Sequence, residues 1–289
     1  MRMTDPDLTV RPKIVGARIK RTEDPRLLTG LGSYVDDRQG SGLRHVAFRR
    51  SDQAHARIRA IDTAAARAAP GVATVLTAAD LEAVAKPLTA VSRMRGYYAT
   101  PIRALARDKV RYVGEPVAGV IADSRYLAED AAEHIVIDFE PLPHAADPLE
   151  AARAGAPLLH EEAGTNVLVA REFKRSDVDA ALAAAAVRVK GRFRIRRKTP
   201  LAIEPRACLA DYDAGRDALT LYSTTQVPGI VRDALAEALD LPGHRLRVIA
   251  PDVGGGFGGK GSLYPEEIFV CAAARLLRRP VKWTSDRME

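Results

Sequence analysis

Gly254-Gly255-Gly256-Phe257-Gly258-Gly259-Lys260 sets five glycines around one phenylalanine, between an apolar run (Leu246 to Ala250) and a second apolar run (Ile268 to Leu277). Glycines pack nothing and cost conformational entropy. A cluster this dense persists where φ > 0 is required or where a ligand comes close to the main chain. A strand, a glycine turn and a helix start together present free N–H groups to an anion or an oxo group. Two further readings compete. Gly254, Gly256 and Gly259 satisfy G-x-G-x-x-G, with Asp286 at the end of the next apolar run, where a dinucleotide fold places its ribose-binding acid. That reading leaves only three residues after Asp286 for the remaining strands of a doubly wound sheet. A P-loop fits from Gly254 to Lys260 but then needs a hydroxyl for magnesium, and the next residue is Gly261.

Other residues offer less chemistry. Gln226, in Ser223-Thr224-Thr225-Gln226, reads by itself as a turn or helix-entry residue ahead of Pro228. Phe257 can plug the adjacent helix while its backbone faces a ligand. The six histidines show neither H-E-x-x-H nor cysteine partners, so core or surface roles are expected and no metal ligands. Cys208 and Cys271, far apart and in apolar surroundings, read as reduced core thiols, not as a disulfide or a cluster site. Glu204-Pro205-Arg206 reads as a buried ion pair and turn element, and Glu115 before Pro116 looks similar.

The formal charge of +7 invites a nucleic-acid reading, but the basic residues are scattered, aromatics are only 5%, and no RNA- or DNA-binding motif is present. Arg192 to Lys198, the densest basic run, alternates with Phe193 and Ile195 as a half-buried strand would. No stretch of about 20 apolar residues occurs, and residues 1–13 hold no apolar signal segment. A soluble, cytoplasmic protein without membrane or nucleic-acid partners is therefore expected.

The elements that must position these residues divide into two regions. In the first, strands are expected at 46–48, 72–76, 117–121 and 135–139, with helices at 62–69 and 124–134, and this β-α-β succession forms a compact unit ending near Asp147. In the second, strands are expected at 166–173, 207–212, 219–223 and 246–250. Helices are expected at 176–186, capped by Ser176, at 229–239 and at 268–277, with 187–197 alternating.

Phe257 follows Gln226 by 31 positions, and this spacing of a T-Q segment and a G-G-G-F-G-G-K loop resembles the molybdenum hydroxylases, the family of xanthine dehydrogenase, aldehyde oxidase and carbon monoxide dehydrogenase. Further collinear matches include Thr22 to Gly30, Ala54 to Ile58, Val113 to Ala118, Glu140 to Pro143, Glu204 to Ala207 and Arg279 to Trp283. The resemblance implies an α+β chain: an N-terminal arm (1–15), an α/β-hammerhead-like domain (16–147) and the first part of a molybdopterin-binding domain (148–289). It implies that Gln226 hydrogen-bonds an oxo ligand of a molybdenum centre, an amide NH2 being able to do so without adding charge. It also implies that the backbone of Gly255, Gly256, Phe257 and Gly258 faces that cofactor. The expected group is molybdenum–molybdopterin in its cytosine dinucleotide form, and the expected reaction is oxidative hydroxylation of an aldehyde, an N-heterocycle or a CO-like substrate. Electrons would leave through an iron–sulfur subunit and an FAD subunit. Two departures matter: Ser51 to Ala56 lacks the family's proline-histidine pair, and Gly261 stands where xanthine-type members carry a substrate-contacting glutamate. In the family the catalytic base and most pterin-binding segments lie beyond the equivalent of residue 289. The expectation is thus a split or interrupted subunit, completed by a companion C-terminal chain and inactive alone. An assembly module of the same fold, or the dinucleotide-binding reading, is the alternative.

Overall fold

The computed structural model describes residues 15–289 apart from 90, 91, 93, 95, 174 and 197. The arm expected at 1–15 lies outside the described residues except for Val15. Residues up to Ser33 form a small unit of their own, holding α1 (Asp24–Leu28) with Pro25 in its first turn. There the Thr29 hydroxyl donates to the Pro25 carbonyl at 2.8 Å.

Residues 34–289 form the second unit. Its strands are β1 (Arg44–Arg50), β2 (Ala56–Asp62), β3 (Val72–Thr77), β4 (Leu88–Thr89), β5 (Pro101–Ile102), β6 (Lys109–Val110), β7 (Pro116–Ala122), β8 (Val136–Pro141), β9 (Ala207–Asp213), β10 (Ala218–Ser223), β11 (Leu246–Ile249) and β12 (Val281–Thr284). Its helices are α2 (Ala64–Ala68), α3 (Ala78–Leu81), α4 (Arg125–Glu133), α5 (Pro148–Ala151), α6 (Val178–Ala184), α7 (Pro228–Ala238) and α8 (Pro265–Leu277). Seven strands form one sheet in the order β11-β10-β9-β12-β1-β7-β3, while β6-β2-β8 and β4-β5 form two smaller ones.

The two-residue period of the strands explains the layers of the large sheet. Val46, Phe48 and Ile121 point to one face and pack with α8, whereas Ala47, Val120 and Ala122 point to the other and pack with α2 and α4. The α8 face is dense. Phe269 lies edge-on to Phe48 at 4.9 Å between ring centroids, and a side chain on Gly119 would start 2.2 Å from the Phe269 ring. Helices α4 and α8 carry side-chain start signals of their own: Ser124 Oγ accepts the Leu127 N–H ahead of α4, and Glu267 Oε2 accepts the Tyr264 N–H at 2.9 Å ahead of α8.

The sheet draws β1, β3 and β7 from the first region of the sequence and β9 to β12 from the second, joined where Arg44 and His45 of β1 pair in parallel with Val281 and Lys282 of β12. Nothing in the sheet breaks near residue 147. A buried charge cluster crosses the same seam: Glu266 of α8 receives Arg50 of β1 and Arg206 at 3.0 Å each. Burial pushes the Glu266 carboxyl up, but the Arg206 guanidinium, backed by Arg50, holds it net below its ordinary value. The Arg206 guanidinium also lies 4.2 Å from the centroid of the Tyr264 ring and 5.0 Å from that of Trp283.

Several sequence expectations need correction. Residues 166–173 and 187–196 form no strand. The helix expected at 176–186 shrinks to Val178–Ala184, and its cap is Asp177, whose carboxylate accepts the Ala180 N–H at 3.0 Å. Ser176 instead sits at φ 57°. The short strand β2 and its antiparallel partner β8 build a sheet of which only β8 was legible.

Candidate functional site

β10 ends at Ser223, and the next three residues turn inward and then out. Thr224 Oγ1 accepts the Ala207 N–H at 3.0 Å and Thr225 Oγ1 accepts the Val227 N–H at 3.1 Å, so both hydroxyls close the turn with backbone donors. Gln226 follows, exposed, immediately before α7, whose first residue is Pro228. Its backbone N–H donates to the Lys260 carbonyl at 2.8 Å, which ties the T-Q turn to the far end of the glycine loop.

The loop is held from three sides. Gln226 Oε1 accepts the Gly258 N–H at 3.0 Å and the Lys260 N–H at 3.3 Å. Glu204 Oε2 accepts the Gly254 N–H at 2.6 Å and the Lys260 ammonium at 3.0 Å. Tyr264, stacked under Arg206, donates its hydroxyl to the Gly259 carbonyl at 2.5 Å. Within the loop Gly255, Phe257 and Gly258 adopt positive φ, 101°, 49° and 89°. Left-handed backbone at a phenylalanine costs about 1–3 kcal/mol and is kept where the surroundings impose it.

Gly256 is constrained differently, because its φ is not positive and the lack of space is what excludes a side chain. A Cβ there would stand 2.5 Å from Gln226 Oε1 and 2.6 Å from its Cδ.

These contacts decide the chemistry of the site. Two N–H donors aim at one Gln226 atom, so that atom is the carbonyl oxygen and the NH2 lies on the other side. Among the described residues the Gln226 NH2 and the N–H groups of Gly255, Gly256 and Phe257 have no acceptor. The Gly258 N–H, expected to face the cofactor, is committed to Gln226. The Phe257 ring is 77% exposed, so it does not plug the helix. A cleft of about 410 Å³ runs along Gly256 and Gly259, with Pro200, Arg206, Tyr264 and Arg287 on its walls. Neutral donors and a main chain without side chains fit a group that presents oxygens. Among the described residues no group of three His, Cys, Asp or Glu side chains could hold a metal ion directly.

The dinucleotide reading does not survive the topology. β11 and β12, the strands on either side of the loop and α8, are separated in the sheet by β10 and β9, whereas a mononucleotide-binding βαβ unit sets its strands side by side. Cys208 and Cys271 are free and buried, and burial drives both thiols well above their ordinary pKa. His55 is a core residue, with Nδ1 3.0 Å from the Pro143 carbonyl oxygen. The sequence reads Glu204 as part of a buried ion pair but does not reveal its ties to Gly254 and Lys260. The available signal was a lysine and a glutamate in apolar or glycine-rich surroundings, since buried charges pair, but sequence alone does not match partners 56 positions apart.

Residues 159–289 match the molybdopterin cofactor-binding domain, and residues 29–143 match the a/b hammerhead domain of aldehyde oxidase and xanthine dehydrogenase. The chain belongs to the molybdenum hydroxylase large subunits, over their hammerhead domain and part of their cofactor-binding domain. It is 41% identical over 276 residues to the nicotine 6-hydroxylase large subunit of Paenarthrobacter nicotinovorans, covering 96% of this chain and 34% of that protein. To the carbon monoxide dehydrogenase large chain of Afipia carboxidovorans it is 39% identical, covering 95% of this chain and 35% of that one. Among solved structures, quinoline 2-oxidoreductase from Pseudomonas putida 86 superposes with a TM-score of 0.88 at 40% identity, over 93% of this chain and 34% of that one. The chain thus spans about a third of the length of the relatives it matches.

Proposed function

We propose that this chain supplies the oxygen-facing wall of a molybdenum–molybdopterin site in the large subunit of a molybdenum hydroxylase. The observation that carries this is the Gln226 amide, whose carbonyl is locked onto Gly258 and Lys260 so that its NH2 stands free beside the unpaired N–H groups of Gly255, Gly256 and Phe257. When bound, the cofactor supplies oxidative hydroxylation of an electron-poor carbon. Gln226 and the three N–H groups stabilise negative charge on oxygen without adding a charge of their own, and the turn Thr224–Thr225 fixes where the glutamine stands. Gly256 keeps the main chain bare at the closest approach.

The proton-abstracting carboxylate and most cofactor contacts are assigned to polypeptide corresponding to the rest of the relatives' length, carried by a companion or continuing segment. An iron–sulfur subunit and an FAD subunit would take the electrons. The cofactor would be the cytosine dinucleotide form. Gly261, in place of a substrate-contacting glutamate, favours an N-heterocycle, aldehyde or CO-like substrate over a purine, and relatives named for nicotine, quinoline and carbon monoxide support this choice.

Isolation of the protein with its native partners, followed by metal, pterin and nucleotide analysis, tests the proposal. One molybdenum, one pterin and one CMP on hydrolysis per copy is the expected result. A complex that retains all its chains and carries neither molybdenum nor pterin would overturn it.

A further inference from the structure

The lysine that closes the loop invites a ligand-binding role, but Lys260 is only 5% exposed and its ammonium meets Glu204 Oε2 at 3.0 Å. The same oxygen accepts the Gly254 N–H at 2.6 Å, and the Glu204 N–H donates back to the Gly254 carbonyl at 3.3 Å. One carboxylate therefore grips both ends of the loop and fixes the chord across which the donor-bearing residues Gly255, Gly256 and Phe257 arch. The approach is close: a Cβ on Gly254 would lie 2.5 Å from the Glu204 Cβ. From Lys260 the hold passes on to Gln226, whose carbonyl oxygen accepts the Lys260 N–H and whose N–H donates to the Lys260 carbonyl.

Every hydrogen bond that the Glu204 carboxylate accepts among the described residues runs to the loop, to the Gly254 N–H and to the Lys260 ammonium, so its charge acts on the two ends of the loop.

We propose that Glu204 is a positioning residue for the glycine loop and Gln226, with Lys260 as its buried counter-charge and not a ligand contact. Its relevance to the cofactor rests on the function proposed above, but the test reads the loop alone, so failure of one leaves the other standing. Backbone hydrogen exchange would be measured on the full chain as wild type, Glu204→Gln, Lys260→Met and the double variant. Glutamine keeps an acceptor for Gly254 but leaves the buried Lys260 ammonium without its counter-charge, and Lys260→Met leaves the carboxylate without its cation. Each single change should release Lys260 and so accelerate exchange at the Gly258 and Lys260 amides, which donate to the Gln226 carbonyl oxygen, about tenfold, as expected for loss of about one net hydrogen bond. Exchange in the core of α8, at Phe269 to Ala272, should not change. The double variant removes both charges but also the tie between the two ends of the loop, so its loop amides should still exchange faster than wild type, whereas a pair that only neutralises its own charges would be rescued. Unchanged loop exchange in the single variants, acceleration throughout α8 in step with the loop, or full return of the double variant to wild-type rates would each overturn the proposal. If Glu204→Gln does not fold, Lys260→Met carries the test alone: protected loop amides in that variant refute it.

Discussion

Gly256→Ala probes the contact that orients Gln226. The backbone at Gly256 is not left-handed, so the methyl group meets no conformational penalty, only the Gln226 side chain, 2.5 Å from Oε1 and 2.8 Å from Cγ. Gln226 must swing away and give up the Gly258 and Lys260 N–H groups, at 3.0 and 3.3 Å. Two neutral hydrogen bonds at a partly solvated site are together worth about 1–2 kcal/mol. Gln226→Ala loses the same two bonds but clears the space. In that background Gly256→Ala should therefore become stabilising by about 0.4–1 kcal/mol, through the reduced freedom of the unfolded chain. The prediction is a change of sign: destabilising with Gln226 present, stabilising without it. Denaturant unfolding of the four proteins of the cycle measures it. Gly255→Ala is the control, because φ 101° strains any side chain and should cost the same in both backgrounds. An equal cost of Gly256→Ala with and without Gln226 would show that the two residues do not touch and that the amide orientation is wrong.

Glu266→Gln leaves the half-buried Arg206 without its carboxylate and Arg50 with Glu289 alone, and should destabilise the protein by about 3 kcal/mol at neutral pH. It should also flatten the acid limb of the stability curve: because the folded Glu266 carboxyl titrates below its ordinary 4.5, its contribution is full above that value and is lost as pH falls through the lowered one. Glu267 runs the other way, since burial raises its carboxyl. Its favourable share is present below its ordinary value and is lost as pH rises through the raised one, so Glu267→Gln should remove a loss of stability on the alkaline side of 4.5. Residues 34–147 expressed alone should aggregate, because removing β12 and α8 opens the edge of β1 and uncovers Val46, Phe48 and Ile121. A monodisperse, cooperatively unfolding fragment in size-exclusion and melting experiments would show that the first region folds without the seam.

Helices and buried central strands were legible because their signals are local. The run Val117 to Ile121 is buried, as is all of β7, and the helix expected at 124–134 appears as α4, with Ser124 as its cap. Strands that depend on a partner were not. Val187 to Arg196 alternates as a strand should, yet alternation only describes what a pairing segment would use, and no described strand lies beside it. The strands expected at 207–212 and 219–223 pair with each other and are flanked by β12 on one side and β11 on the other, a pairing set by a crossover that no local pattern reveals. At the site, the glycine loop and Gln226 stood out through residue type and spacing. That a positive φ governs Gly255 and Gly258, whereas crowding by Gln226 governs Gly256, follows only from the coordinates. The first turn of α8 was hidden by Pro265, which can open a helix as readily as it ends one.

The direction of the free donors is the central claim. A crystal structure of the natively purified, cofactor-loaded complex should place the Gln226 NH2 and at least one of the Gly256 and Phe257 N–H groups about 3 Å from an oxygen of the molybdenum cofactor. The Gln226 carbonyl should still be on Gly258 and Lys260. A cofactor seated elsewhere, with these donors facing solvent or another polypeptide, would contradict it.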